Sequence, residues 1–527
     1  MRRIALLALL LVLELLTLSV WLDTGALGSA SGLAWLIGQW GSLAVRFAVV
    51  LTALYSILSY LKKRVALRHA LAQLSASPFG WKFLAAHFFA LAVFALFSVR
   101  LFSPARAGGA GNLTAACWLL SGAAALPLAA LAFGTRASWG LALRATAPMG
   151  PYAAAGAAAA CILGRASDRL WQPATDTTFL LAKAFLRPFL PVVIADPTQY
   201  LLGSPRFQVT IAQQCSGLEG AGLMLVFGAV WLWLFRGEFR FPRALLLIPA
   251  GIAVLYVLNA VRIAALILIG NAGAEGIAVG GFHSQAGWMA FIVVAAGFAI
   301  TAQRSPWLTT RPVEETADNP TAAYLAPFLA ILCAAMISRA LSANVEPLYP
   351  LRFFAAAAAI WFYRKSYVRL DWKFGWSALT AGAAVFLIWI GLDKALGMAN
   401  TSPLPSALAA WAPSARAAWL ALRTVAAVVT VPIAEELAFR AFLIRRLMAE
   451  DFESVDLRRF SWLAALVSSA AFGAMHGERW IAGALAGLVY ALVLRRRGRI
   501  GDAVAAHALT NALLAAWVLA GGHWSDW

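Results

Sequence analysis

Acidic residues are scarce in this chain. It has 527 residues, with 23 Asp and Glu against 42 Lys and Arg, and charged residues make up only 12% of it. A soluble domain carries about 25%, so an ordinary water-soluble enzyme is excluded. Cysteine is rarer still, with four residues. Cys117, Cys161, Cys215 and Cys333 stand far apart with no CxxC spacing, which speaks against a zinc site and a disulfide framework. An HExxH motif is missing, as is any repeat joining the two halves. The alternating segments of about ten residues that mark a β-barrel are also lacking.

What is present is apolar: 62% of the residues are hydrophobic. Runs of about 20 such residues recur, which predicts an all-α polytopic transmembrane protein of about 13–16 spans. The formal charge of +19 raises the question of nucleic acid. Lys and Arg, however, cluster between the apolar runs, as the positive-inside rule requires. No nucleic-acid partner is expected, and the lipid bilayer is.

The first apolar run, Ile4–Leu22, exceeds a signal-peptide core and is expected to stay as a first helix with its N-terminus inside. The next run ends at Lys62-Lys63-Arg64. Further spans are expected over 83–102, 113–133 and 147–163, followed by an outside loop over 164–209 whose apolar part, 179–194, is broken by Pro188 and Pro191. The run after Cys215 stops at Arg236, Arg240 and Arg243, an inside signal. Residues 244–270 return outward, 271–284 form an outside loop, and 285–301 come back in. Residues 303–320, with three prolines and the solvated charges Glu314, Glu315 and Asp318, read as a cytoplasmic linker. Later spans are expected near 322–340, 351–363, 375–395, 416–434, 461–475, 480–494 and 503–520.

Three of the four cysteines lie within apolar runs, where the residue is a small hydrophobe. Cys215 instead has polar neighbours, in Gln214-Cys215-Ser216-Gly217-Leu218-Glu219-Gly220. Crossing counts put Cys215 and His283 on one, non-cytoplasmic side. They place Arg262 about 12 Å below the outer end of its helix. A thiol needs a base to form its thiolate, acyl transfer needs a donor for the developing oxyanion, and an intramembrane Arg is costly unless paired or functional. Cys215, His283 and Arg262 match those needs, a hydrolase or acyl-transfer pattern. Glu219 follows Cys215 by one helical turn; it either orients Arg262 or His283 or is a helix-end carboxylate in water.

A second group begins at Val431-Pro432-Ile433-Ala434-Glu435-Glu436-Leu437-Ala438-Phe439-Arg440. Glu436 and Arg440 are i,i+4 and able to pair, which leaves Glu435 as a candidate general base. Phe472-Gly473-Ala474-Met475-His476 supplies an imidazole. His507 and Asn511 share a helix face as two possible oxyanion donors. A metal site of Glu435, His476 and His507 is another reading, although the separations are not diagnostic. Strict alternation of spans puts Glu435 toward the inner side and His476 toward the outer end of its helix, so they meet only if a span boundary is misdrawn.

The first group, with Asn259-Ala260-Val261-Arg262-Ile263 and His283-Ser284-Gln285-Ala286-Gly287-Trp288 as its second and third motifs, resembles the exosortase/archaeosortase family. The Cys-Ser-Gly-x-Glu-Gly form, joined to the second half, resembles the exosortase E subgroup. This resemblance covers roughly 1–302. It implies a multi-pass transpeptidase with Cys215 as nucleophile, His283 as acid and base and Arg262 as transition-state stabiliser. Its partners would be exported proteins that end in a short motif, an apolar helix and a basic tail, processed at the outer face of a bacterial inner membrane. The second group is similar to the CAAX-processing and bacteriocin-processing protease family, over about 321–527. That resemblance implies an intramembrane glutamate endopeptidase needing neither metal nor cofactor. Glu435 and His476 would activate water, His507 and Asn511 would hold the oxyanion, and Glu436 and Arg440 would support Glu435. A membrane transporter with ionisable residues along its path, or an inactive envelope-export scaffold, are the competing readings.

Overall fold

The computed structural model describes residues 32–102, 112–212, 215–310, 319–343, 345–397 and 402–526, together with Leu7, Leu10, Leu11 and Glu14. The expected first helix at 4–22 and the linker charges Glu314, Glu315 and Asp318 lie largely or wholly outside them. Among the described residues, ten helices are long and apolar enough to cross a membrane, and three shorter apolar helices accompany them. The chain is an all-α, multi-pass membrane protein.

By compactness the chain divides into two units, 1–170 and 171–527. The first holds α1 (Gly32–Ala76), α2 (Trp81–Phe102), α3 (Asn112–Phe133), α4 (Arg136–Thr146) and the start of α5 (Gly150–Leu186). In α1 the apolar stretch Gly32–Tyr60 is the membrane-spanning length. The helix continues past the basic cluster with a kink at Lys63.

The second unit contains both candidate sites. The end of α5 leads into a three-stranded antiparallel sheet of β1 (Ile194–Asp196), β2 (Leu201–Gly203) and β3 (Gln208–Thr210), in the order β1-β2-β3. Here the sequence expectation fails. Residues 164–186 are helical, and 194–210 form a small sheet. Pro188 and Pro191 end the helix, since neither donates a backbone hydrogen bond. Thr198 donates to the Asp196 carboxylate from both its backbone N–H and its hydroxyl, at 2.9 and 2.6 Å, which closes the first turn. Those hydrogen bonds, the hydroxyl's foremost, hold the Asp196 carboxyl below the usual carboxylate range.

Beyond the sheet come α6 (Leu218–Leu234), α7 (Leu247–Asn271) and α8 (His283–Arg304). The expected loop before His283 is instead a π-helical turn, Ile277–Phe282, that runs directly into α8. Then follow α9 (Pro320–Ala340), α10 (Leu351–Phe362), α11 (Trp376–Ala395), α12 (Pro413–Arg446), α13 (Trp462–Ala474), α14 (Trp480–Arg497) and α15 (Ile500–Gly521). Their ends follow local chemistry. Asn319 caps α9 by accepting from Ala322 N at 3.0 Å, with Pro320 in the first turn, where a missing N–H costs nothing. Gly498, at φ +70°, stops α14 behind three arginines that suit the negative end of the helix. Helix α9 packs against α8 and its preceding π turn, and also against the Glu435 segment of α12.

Candidate active sites

The first site forms where α6 begins. Cys215 lies just ahead of it, and the chain turns through Gly217 at φ +88°, a left-handed conformation that favours glycine. The turn is fastened to α7. Asn259 Nδ2 donates to the Cys215 carbonyl at 2.8 Å, and a side chain at 217 would meet the Tyr256 ring and Asn259 within 3.0–3.3 Å. From the other side, Thr178 on α5 donates to the Ser216 carbonyl at 2.9 Å.

Cys215 and His283 line one cavity of about 280 Å³, walled by Val209, Ile211, Ile263, Leu266 and Val279. Arg262 and Glu219 line a neighbouring cavity of about 180 Å³, with Asn259, Ser284 and Trp288. The Arg262 guanidinium lies against α8. A Cβ at Gly287 would fall 2.8 Å from its Nη1. Its Nε is buried without a hydrogen-bond partner among the described residues, and its charge acts on His283. The structure thus brings Cys215 and His283 to one cavity, while Arg262 lines the other. Sequence reasoning assigned Asn259 no role. The available signal was its position one turn before Arg262, on the same face of α7.

The second site is built on α12. Two π-helical turns, Ala426–Thr430 and Leu437–Leu443, flank the short α-helical piece Val431–Glu436. Pro432 has no N–H to give the preceding turn, which accounts for the first break in the ladder. Each π turn has one carbonyl satisfied from a neighbouring helix. Asn511 Nδ2 donates to Ala427 O at 2.7 Å, and Ser468 Oγ donates to Phe439 O at 2.9 Å.

Glu436 is fully buried and Arg440 is 1% exposed; Arg440 Nε lies 3.1 Å from Glu436 Oε2. That contact is an ion pair by distance, but among the described residues neither Glu436 Oε2 nor the two Arg440 amino groups has an aligned hydrogen-bond partner. The guanidinium instead faces the Phe472 ring, 4.2 Å from its centroid. The other Glu436 oxygen, Oε1, meets His507 Nδ1 at 3.0 Å. His507 Nε2 then points toward Glu435 Oε2, 3.8 Å away. The imidazole stacks on Tyr490 at 4.9 Å and 17°, and Tyr490 donates its hydroxyl to Thr510 at 2.8 Å. His476 is held by Phe472 O at 2.8 Å and sits edge-on to Trp389. Glu435, Glu436, Arg440, His476 and His507 therefore gather around Phe472. Asn511 is committed to the π turn. Among the described residues, no three His, Cys, Asp or Glu side chains converge to hold a metal ion.

The conflict raised by strict alternation has a physical cause. Helix α13 has only 13 residues, about 20 Å of rise against the about 30 Å of an apolar bilayer core. It starts beside Arg458 and Arg459 and ends at Ala474, two residues before His476. Measured along their own helices from the basic ends, Glu435 lies about 15 Å from Arg445 and His507 about 12 Å from Arg499. Along their helices, all three side chains are therefore approached from the basic ends.

Residues 417–513 match the family model of type II CAAX prenyl endopeptidases, Rce1-like, and residues 40–300 match that of transmembrane exosortases. No curated protein and no solved structure matches. Every residue of the second site falls within the first match and every residue of the first site within the second. The chain is a multi-pass membrane protein in which an exosortase-family region is fused to an Rce1-like region, both belonging to membrane protease and transpeptidase families.

Proposed function

We propose that the chain is a bifunctional enzyme of a bacterial inner membrane, with a cysteine transpeptidase in 1–302 and a glutamate endopeptidase in 321–527, joined by a linker over 303–320. The observation that carries the first half is the single cavity shared by Cys215 and His283. His283 takes the thiol proton as Cys215 Sγ attacks the scissile carbonyl carbon. The developing oxyanion is stabilised by Arg262, and Glu219 lies at the same cavity as that guanidinium. The C–N bond then breaks, and the leaving amine takes the proton from His283. The thioester passes to an amine or to water. The substrates are exported proteins that end in a short motif, an apolar helix and a basic tail, and they reach this site from the periplasmic face.

In the second half Glu435 and His476, whose Nε2 is left free to accept a proton, activate water while His507 polarises the scissile carbonyl. Glu436 and Arg440 fix His507. Asn511 supports the site through the α12 backbone.

The deciding experiment compares the C-termini of exported proteins, by mass spectrometry, in cells carrying the wild-type chain, Cys215→Ala or Glu435→Gln. Tails should persist in the Cys215→Ala cells. If the same shortened C-termini appear in both variants as in wild type, the enzymatic reading fails in both halves.

A further inference from the structure

We infer that the free edge of β3 is the substrate-binding strand of the cysteine site, and that its occupant is an extended segment of the exported protein, pairing antiparallel as a fourth strand. This inference rests on the cysteine reading above and adds how that site holds its substrate.

The backbone directions are set by the β2–β3 ladder. Ile211 N donates to Tyr200 O at 3.0 Å, and Ser204 N donates to Phe207 O at 2.8 Å. The register pairs Leu202 with Val209. In an antiparallel pair the hydrogen-bonded positions alternate, so Phe207, Val209 and Ile211 turn their polar backbone groups toward β2. Those of Gln208 and Thr210 turn away, to the side where no strand lies among the described residues. Both residues are exposed. A peptide laid along that edge meets two outward-facing residues about 6.8 Å apart, the repeat of an antiparallel partner.

The edge belongs to the chemical site. Val209 and Thr210 line the same cavity as Cys215 and His283. A strand paired to β3 places alternate side chains on one face, and that cavity of about 280 Å³ is walled mainly by Val209, Ile211, Ile263, Leu266 and Val279. It takes one large or two small apolar side chains next to the bond that Cys215 attacks. The strand is also firmly set. Leu202 on β2 is fully buried against the core that holds Phe179, Leu186 and Ile267. The β2–β3 turn is tied to α7 through Ser204 Oγ donating to Asn271 Oδ1 at 2.7 Å. Recognition through backbone groups suits a site that serves many proteins, because affinity comes from the main chain and only the side chain in the cavity is selected.

Two measurements on the full chain in native membranes test this. Thr210→Pro removes an outward N–H without touching the β2 ladder, where a proline is tolerated only on such an edge. It should raise the amount of unprocessed exported protein about tenfold, well above the defect of Thr210→Val, which alters the cavity lining but keeps the outward N–H. Equal chain abundance and an unchanged rate of Cys215 alkylation by maleimide verify that the variant is folded. In the second arm, p-benzoylphenylalanine replaces Gln208 in the Cys215→Ala chain, and adducts are sequenced after illumination. They should fall within about five residues of the C-terminus that each exported protein shows in wild-type cells. Wild-type processing by folded Thr210→Pro overturns the inference. So do adducts confined to the apolar tail helix, or adducts to a second copy of this chain. If Thr210→Pro does not fold, the adducts alone decide. Wild-type C-termini in Cys215→Ala cells overturn the cysteine reading itself, and that result is read from the C-termini, independently of the adducts.

Discussion

His507 Nδ1 lies 3.0 Å from Glu436 Oε1, and the far nitrogen of the same ring lies 3.8 Å from Glu435 Oε2. One imidazole therefore spans two adjacent glutamates that differ in every other respect. Glu436 is fully buried and paired with Arg440. Glu435 keeps 13% side-chain exposure and has an oxygen with no hydrogen-bond partner among the described residues. Adjacent side chains on a helix diverge by roughly 100°, so one carboxylate enters the packed interior and the other faces the site.

Glu436→Gln should destabilise the second region. The change leaves the Arg440 charge buried opposite a neutral amide, and breaking a buried pair from one side typically costs about 3–5 kcal/mol. Thermal unfolding in detergent should show a lower midpoint, and Glu436→Gln with Arg440→Met should recover much of it, because no lone charge then remains buried. A midpoint equal to wild type in the single variant would show that the pair contributes nothing to the packing.

Glu435→Gln should behave in the opposite way. It removes a carboxylate whose Oε2 lacks a hydrogen-bond partner, so the unfolding midpoint should hold or rise. Proteolysis by the second site should fall by about 100-fold or more, the lower range for loss of a general base. Unchanged cleavage of a reporter peptide in proteoliposomes would remove Glu435 from the chemistry.

The helices between 322 and 520 and the i,i+4 contact of Glu436 with Arg440 were legible in the sequence. Apolar run length and charge spacing report on those features directly. The π turns of α12 were not, because an extra residue per turn leaves an apolar run unchanged. The partial depth of α13 was also hidden. Counting alternate crossings assumes that every run is a full span, and 13 residues are not. The β1–β3 sheet has strands of three residues, too short for a period of two to declare itself. Its cues were Asp196-Pro197 and Gly203-Ser204-Pro205 as turn signals, with β-branched Val209 to Ile211 after them. Asn511 shows a different limit. Its spacing from His507 suggested an oxyanion role but not the bond that its amide gives to Ala427 O, a demand that exists only because α12 departs from α-helical geometry.

Gly287→Ala should separate Arg262 placement from stability. The added methyl carbon falls 2.8 Å from Arg262 Nη1, the far end of a flexible side chain. The guanidinium can move away without disturbing any backbone, so the unfolding midpoint should change little. A displacement near 1 Å at a stabilising group costs roughly 100-fold in rate, and processing of exported-protein tails should fall by about that order while Glu435-dependent cleavage continues. Normal tail processing in a folded Gly287→Ala chain would mean that Arg262 does not act on the reacting carbonyl.

Sidedness of the first site can be read from one thiol. Cys117, Cys161 and Cys333 sit in apolar helices, so replacing them by alanine leaves Cys215 as the single reporter at small cost in packing. Arg236, Arg240 and Arg243 follow α6, and the positive-inside rule assigns that end of the helix to the cytoplasm. Cys215, at the other end, should then be labelled by a membrane-impermeant maleimide in spheroplasts and protected in inverted vesicles. His283→Ala in the same background should slow labelling, since alkylation goes through the thiolate and the imidazole is the base that shares the cavity. Labelling from the cytoplasmic side would reverse the topology of the whole first region and remove exported-protein tails from its reach.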